Sequence, residues 1–337
     1  MKRAIVAVLL AVVLFVPAVA QAVPDADVQN YVRSVTVQVL VYFNRYTRSL
    51  TWYQEVTASG EKGDWKVRKG NWEKDPELSV IAGSGVILYS DILPLDVDGV
   101  IGATYILTNA HVVEFLVKEE ALGSRYNPLP VYDKKDLIIN DFPPSVEVKE
   151  GARPVAEQYF KLAKEYVTIK HREDQFYEVR GKVVAYDRAL DVALIRLDNV
   201  WGLPYATFRG TDCQVGEEIW ICGAPLGLPF SIDRGRINQV NLDLGEGLGV
   251  IWDNQIKLDI PAAPGSSGSG IFDKDGWLIA ELHGMLVYNG NYIEGGQLAI
   301  DGQSIREWLI WNGWAFIALN KPYAHAPHQR VETHDAG

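Results

Sequence analysis

Sulfur is scarce in this chain, whose 337 residues include two cysteines and two methionines. Two thiols cannot build the disulfide framework that holds small secreted folds together, so the structure must rest on an apolar core. Cys213 and Cys222 stand nine positions apart. A strand expected over residues 217–222 carries the second sulfur away from the first, which favours two unpaired thiols. Positive charge is also in short supply: 32 Lys and Arg face 43 Asp and Glu, a formal charge of −11. That balance disfavours phosphate backbones and anionic lipid, and speaks against nucleic acid as a partner. Beyond the N-terminus no segment is long and apolar enough to span a bilayer. No metal motif surrounds either cysteine, and the sequence calls for no cofactor.

The N-terminus is a different matter. Met1-Lys2-Arg3 precedes an apolar stretch over residues 4–16, and Ala20-Gln21-Ala22 offers small residues at a cleavage point. This is the pattern of a secretory signal over residues 1–22, since 13 apolar residues fall short of the roughly 20 that a spanning helix needs. Export to the periplasm or beyond is the expectation, and loss of Lys2 and Arg3 takes the charge to −13. The rest is an ordinary globular composition, 48% hydrophobic, enough for one large or two small domains.

Residues 28–43 are rich in β-branched and aromatic types, which predicts a short helical turn and then a strand. Residues 44–77 are polar, carry Trp52, Trp65 and Trp72, and read as a long hairpin or surface loop. Strands are expected at 84–90 and 103–109, the second running into His111. Residues 114–180 read as an insertion, with an amphipathic helix at 155–167 where Tyr159, Phe160, Ala163, Tyr166 and Val167 share a face. Further short strands follow at 176–186, 191–198, 217–222, 236–242, 251–260, 277–282 and 297–300. Many short strands separated by turn signals argue for an all-β sandwich or barrel pair. A helix at 304–311 takes Asp301 as its N-cap. From Asn320 the tail is polar and expected to be flexible; His325, His328 and His334 in it make only a faint metal suggestion.

Three stretches carry chemistry. Pro264-Gly-Ser-Ser-Gly-Ser-Gly270 lies between apolar stretches, and its glycines let another molecule approach the amides closely. His111 ends one expected strand and Asp191 opens another. Acyl transfer by a serine needs a nucleophile, an imidazole to shuttle its proton, a carboxylate to hold that imidazole, and amides for the oxyanion. The chain offers all four. A metal reading of His111-Val-Val-Glu114 is weaker, because that spacing needs a helix and these residues follow a strand.

Leu107-Thr-Asn-Ala-His-Val-Val113, Asp191-Val-Ala-Leu-Ile-Arg-Leu197 and the Ser267 block resemble the three signature blocks of trypsin-like serine proteases, in the order His, Asp, Ser. Similarity is greatest to the bacterial HtrA (DegP-type) branch, through Gly83-Ser-Gly-Val-Ile-Leu and Val215-Gly-Glu-Glu-Ile-Trp-Ile-Cys-Gly-Ala-Pro-Leu-Gly227. The resemblance implies two six-stranded antiparallel β-barrels, with a helical insertion and a C-terminal helix. The barrels would occupy residues 23–198, with insertions at 44–77 and 114–180, and 199–314, leaving 315–337 as a flexible tail. It also implies a serine endopeptidase acting on proteins or peptides, with a role in protein quality control. Ser267 would be nucleophile, His111 acid/base, Asp191 the orienting carboxylate, and the amides of Gly265 and Ser267 the oxyanion hole. After Trp314 only 23 residues remain, too few for the PDZ domain such proteases commonly append.

By the same resemblance Pro261, Ala262, Leu282 and His283 surround the substrate pocket, which favours small or aliphatic side chains. Secreted glutamyl endopeptidases resemble this chain at Ser269 and carry a pocket histidine one position earlier than His283, which leaves acidic specificity as a second choice. The alternative to an enzyme is a non-catalytic protein-binding or chaperone-like protein on the same scaffold.

Overall fold

Several of these strands are apolar at nearly every position, which a sheet with one wet face would not require. The computed structural model describes residues 25–56, 62–93, 96–97, 99–117, 154–171, 179–228, 230–247, 250–251, 253–288 and 291–332. The segment 1–22 read as a signal, and residues 118–153 and 172–178 of the expected insertion, lie outside these. Within them the reason for the apolar strands is plain, because both faces are covered. Ile106, Ala193 and Ile195 of Ala103–Thr108 and Val192–Asp198 fill one barrel, while Tyr105, Leu107, Val192 and Leu194 face a second core outside it. On Glu218–Gly223, Ile219 and Ile221 face one core and Trp220 and Cys222 the other. Side chains alternate across a strand, so covering both faces demands apolar residues in both registers.

Six strands form the first barrel: Thr36–Val56, Glu73–Ser90, Ala103–Thr108, Val192–Asp198, Val179–Asp187 and Val167–Lys170. It closes where Gln38, Val39 and Leu40 pair with Lys170, Ile169 and Thr168. Glu218–Gly223, Ser231–Leu242, Gln255–Asp259, Asn291–Asp301, Leu278–Tyr288 and Gly270–Asp273 close the second. The chain therefore has the two antiparallel six-stranded barrels that its sequence implied. Between them lies the shared core, to which the helix Asp25–Val35 adds Val28, Tyr31, Val32 and Val35, and the helix Gly302–Trp311 adds Ile305, Trp308 and Leu309. Asp301 caps the latter as expected, its carboxylate accepting from the amides of Gln303 at 2.9 Å and Ser304 at 3.3 Å.

Two expectations are corrected. No helix forms over 155–167; Pro154–Leu162 is a strand that pairs along residues 43–51, and Val167–Lys170 is a barrel strand. The aromatic spacing fits a helix, but the outer half of Thr36–Val56 would otherwise be an unpaired edge, and aromatic and β-branched residues suit a strand well. The other edge of that outer half takes Lys62–Lys69, so residues 44–77 are indeed a long hairpin. The tail is also docked. Phe316 meets Tyr89 edge-on at 5.2 Å, Asn320 Nδ2 donates to Leu88 O, and the His328 ring stacks 3.6 Å from Trp277. Burial in that stack pushes the His328 imidazole down to about 4. Aromatic contacts outweigh the tail's polar composition. Cys213 and Cys222 form no disulfide, and burial pushes the Cys213 thiol up to about 12, which keeps it protonated and unreactive.

The barrels meet closely at Gly268, where φ is +88° and a Cβ would lie 2.1 Å from Ser84 O and 2.6 Å from Thr108 Oγ1. Gly245 shares a positive φ of +75° but has open space around it. Gly268→Ala should therefore cost about 3 kcal/mol or more, adding overpacking to backbone strain. Gly245→Ala should cost only about 1 kcal/mol, the backbone part alone. Urea denaturation midpoints of the two variants check the difference.

Candidate active site

Thr108 ends its strand, and the next residues turn into a short helix, Ala110–Val113, that holds His111. Asp191 precedes the neighbouring strand with φ +61°, a conformation that a non-glycine residue adopts only when its surroundings hold it there. The two segments are sewn together by the main chain. Asp191 O accepts from Ala110 N at 3.1 Å and from Asn109 Nδ2 at 3.2 Å, while Asp191 Oδ1 accepts from His111 N at 2.9 Å. This leaves Asp191 Oδ2 facing the ring, 2.8 Å from His111 Nδ1. Glu114, one helical turn beyond His111, pairs with Arg188, three positions before Asp191, in a second buried brace between the same segments. His111-Val-Val-Glu114 thus stands in helical turns after the strand, and Glu114 is engaged there by Arg188.

Asp191 is almost fully buried and the His111 side chain 38% exposed. Burial alone raises a carboxyl, but the charge and hydrogen bonds of His111 and then His283 reverse this and hold Asp191 well below the ordinary carboxylate range. Burial pulls the His111 imidazole down, and the Asp191 charge and hydrogen bond outweigh it, so that His111 is raised above its ordinary 6.5.

The Gly/Ser turn comes from the other barrel and is fixed largely by Ser84 of the first. Ser84 N donates to Ser267 O at 2.7 Å, Ser84 Oγ donates to Gly265 O at 2.8 Å, and Ala224 N donates to Ser84 Oγ at 2.9 Å. Gly83 explains why its neighbour can come so close. A Cβ there would stand 2.6 Å from Val112 Cγ1 and 3.3 Å from Ser267 O, so the residue after His111 and the main chain of Ser267 meet at one glycine. Of the three hydroxyls in the turn, those of Ser266 and Ser269 belong to buried residues, and only Ser267 is partly open. Its hydroxyl has no hydrogen-bond partner among the described residues. His111 and Asp191 are thus joined directly, and the main chain of Ser267 lies close to Val112, the residue after His111.

The amides alternate. Those of Ser266, Gly268 and Ser269 donate to Ala263 O, Leu282 O and Ser266 O, whereas those of Gly265 and Ser267 donate to no described residue. Pro264 O accepts from Leu226 N at 2.7 Å, and in a trans peptide this turns the Gly265 N–H to the opposite side. Gly265 itself has φ +100° and no room for a Cβ, which would fall 2.4 Å from Ala224 O.

Of the expected pocket residues, Pro261 is exposed, Ala262 packs partly against the second barrel's core, and Leu282 lies within that core. His283 differs. It faces away from Leu282, as neighbours on a strand do, with Nδ1 3.4 Å from Asp191 Oδ2 and Nε2 2.6 Å from Gln255 Oε1. The His283 ring is therefore spent on buried contacts. No local sequence signal marks Gln255, Arg188 or Glu281 as parts of this region. Glu281 is fully buried, both its oxygens lack hydrogen bonds, and burial together with the Asp191 charge raises it well above the ordinary range.

A raised carboxyl stabilises the fold below its unfolded value of about 4.5 and loses that contribution as pH rises towards the folded value. Glu281→Gln removes the titration. The melting temperature of the variant should match the parent near pH 4 and exceed it increasingly towards pH 9, as differential scanning calorimetry across that range can check.

The family model for the trypsin-like peptidase domain matches residues 83–280. A probable periplasmic serine endoprotease, DegP-like, of Halomonas elongata is 29% identical over 146 residues, 39% of this chain and 30% of that protein. Protease Do-like 8, chloroplastic, of Arabidopsis thaliana is 32% identical over 101 residues, 29% of this chain and 22% of that protein. The chain thus spans less than a third of the length of these relatives. Among solved structures, an HtrA-type protease, an AlgW variant with a tripeptide, is similar in fold, with a TM-score of 0.50 and 15% identity over 88% of this chain and 64% of that one.

Proposed function

Because the chain belongs to the trypsin-like peptidase family, we propose that it is an exported serine endopeptidase that cuts protein or peptide substrates through an acyl-enzyme. One observation supports the reading: a histidine is clamped on a buried carboxylate, and the residue after it nears the main chain of a turn in which only Ser267 offers an open hydroxyl and the amides of Gly265 and Ser267 are unspent. Export is supported by the basic and apolar N-terminus and by relatives named as probable periplasmic endoproteases. Among the described residues no helix is long and apolar enough to cross a membrane. Protein quality control is the role this combination fits best.

In this mechanism Ser267 Oγ attacks the scissile carbonyl as its proton passes to His111 Nε2. The new oxyanion takes the N–H groups of Gly265 and Ser267, and loss of one such donor typically costs about 3 to 4 kcal/mol of transition-state stabilisation. His111 then gives the proton to the leaving amine, and the acyl group stays on Ser267. A water delivers its proton to the same nitrogen, attacks the ester and frees Ser267. Asp191 keeps its charge throughout and fixes the tautomer in which Nδ1 carries hydrogen. Of the expected pocket residues Pro261 and Ala262 stay at least partly open, and both are apolar, which favours small or aliphatic side chains.

A fluorophosphonate probe should form one adduct on the mature protein, at Ser267, and Ser267→Ala should abolish it and lower kcat/KM by about 10⁵-fold or more. Since His111 must be neutral to accept the proton and is raised above 6.5, kcat/KM should be lost as pH falls through an inflection above that value. Intact-mass spectrometry and a pH profile on a neutral peptide check both, and a protein that neither labels nor cleaves overturns the reading.

A further inference from the structure

The proton count at His283 follows from its neighbours. Gln255 Nε2 donates to Asp253 O at 3.1 Å, which fixes the amide so that Oε1, an acceptor only, faces His283 Nε2 at 2.6 Å. On the other side, Nδ1 faces Asp191 Oδ2 at 3.4 Å. A neutral imidazole has one N–H and one lone pair, so either tautomer would set a lone pair against an oxygen lone pair in a site where the His283 side chain is only 1% exposed. Only the doubly protonated ring satisfies both contacts.

We infer that His283 is a positioning residue that carries both ring protons and shares Asp191 with His111, so that a buried imidazolium–carboxylate pair orients the His111 ring. The positioning role rests on the function proposed above; the proton count does not. The arrangement joins the two barrels, since Asp191 belongs to the first and His283 and Gln255 to the second. It also fills a need of the site. Unshared, a buried carboxylate holds the proton on its histidine tightly and slows the return of a neutral base; a cation on the same oxygen moderates that grip. Among the described residues, His111, Arg188 and, on the strand of His283, Glu281 also act on Asp191, and burial favours the neutral form of Glu281. Gln255, from the adjoining strand Gln255–Asp259, carries no charge.

Two measurements on the full chain test the inference. Nitrogen-15 NMR of ring-labelled histidine at pH 9 should show one histidine with both nitrogens protonated, absent in His283→Gln. The acid limb of kcat/KM should move up by about half to one pH unit in His283→Gln, because the whole Asp191 charge then acts on His111. Gln255→Leu frees His283 to become neutral while Nδ1 still donates, so it should move the limb the same way, and Gln255→Glu should not. A ring bearing a single proton at pH 9, or a limb unmoved in both His283→Gln and Gln255→Leu, overturns the proposal. If His283→Gln does not fold, Gln255→Leu decides. If the parent protein cleaves nothing, the NMR result still decides the proton count, and it is the proposed activity that fails.

Discussion

A carboxylate taken out of water loses several kcal/mol of hydration and stays ionised only if donors replace the water. Asp191 is only 3% exposed, and the surrounding structure is arranged around that demand. The His111 amide serves one oxygen; the rings of His111 and His283 serve the other. Its carbonyl takes Ala110 N and Asn109 Nδ2. The donors come from two parts of the chain, residues 109–111 and His283, so satisfying this one charge fixes the His111 segment and the second barrel relative to the first. The left-handed backbone at Asp191 is the cost, on the order of 1 kcal/mol or more. A turn in which Leu190 N bonds the Asp187 carboxylate and Asp191 N bonds Arg188 O holds it there.

The seam between the barrels is otherwise apolar, and it is broad. Val86, Leu88, Leu107 and Leu194 from one barrel meet Trp220, Phe272, Leu278 and Ile300 from the other. Such a core sets the distance between barrels but gives little direction, because apolar contacts are non-directional. Direction comes from a few hydrogen bonds across the seam, most of them at Ser84, which reaches Gly265, Ser267 and Ala224 from the opposite barrel. The division of labour is physical: area supplies the energy and polar groups supply the register.

This division also explains what could be read from the sequence. Many short strands separated by turn signals announced an all-β sandwich or barrel pair, and the blocks around His111, Asp191 and Ser267 are local in the chain, so they could be seen. Gln255 and His283 lie 28 positions apart and Glu114 and Arg188 lie 74 apart; each looks ordinary alone, and only closure of the sheets makes them partners. Residues 155–167 misled for another reason. Aromatic residues at that spacing suit either period, and the choice was made by nine pairing positions along the outer half of Thr36–Val56, a long-range contact that no local pattern records. The tail misled because composition weighs polar residues equally, whereas Phe316 and His328 each find an aromatic face.

The same logic bears on how ready the turn is for chemistry. Leu226 occupies φ +53°, a conformation costing roughly 1 to 2 kcal/mol for a residue with a side chain. What that conformation provides is an amide aimed at Pro264 O. Without it, the 264–265 peptide could turn over and point its carbonyl, rather than the Gly265 N–H, towards Ser267. On the proposed mechanism the oxyanion would then meet a lone pair in place of a donor. A strained leucine in one loop therefore holds the donors of another in place before any substrate arrives, which is where electrostatic catalysis needs its dipoles already set. The free amides of Gly265 and Ser267 are thus kept free by a bond made elsewhere, as the His111 ring is kept in line by contacts on the far side of Asp191.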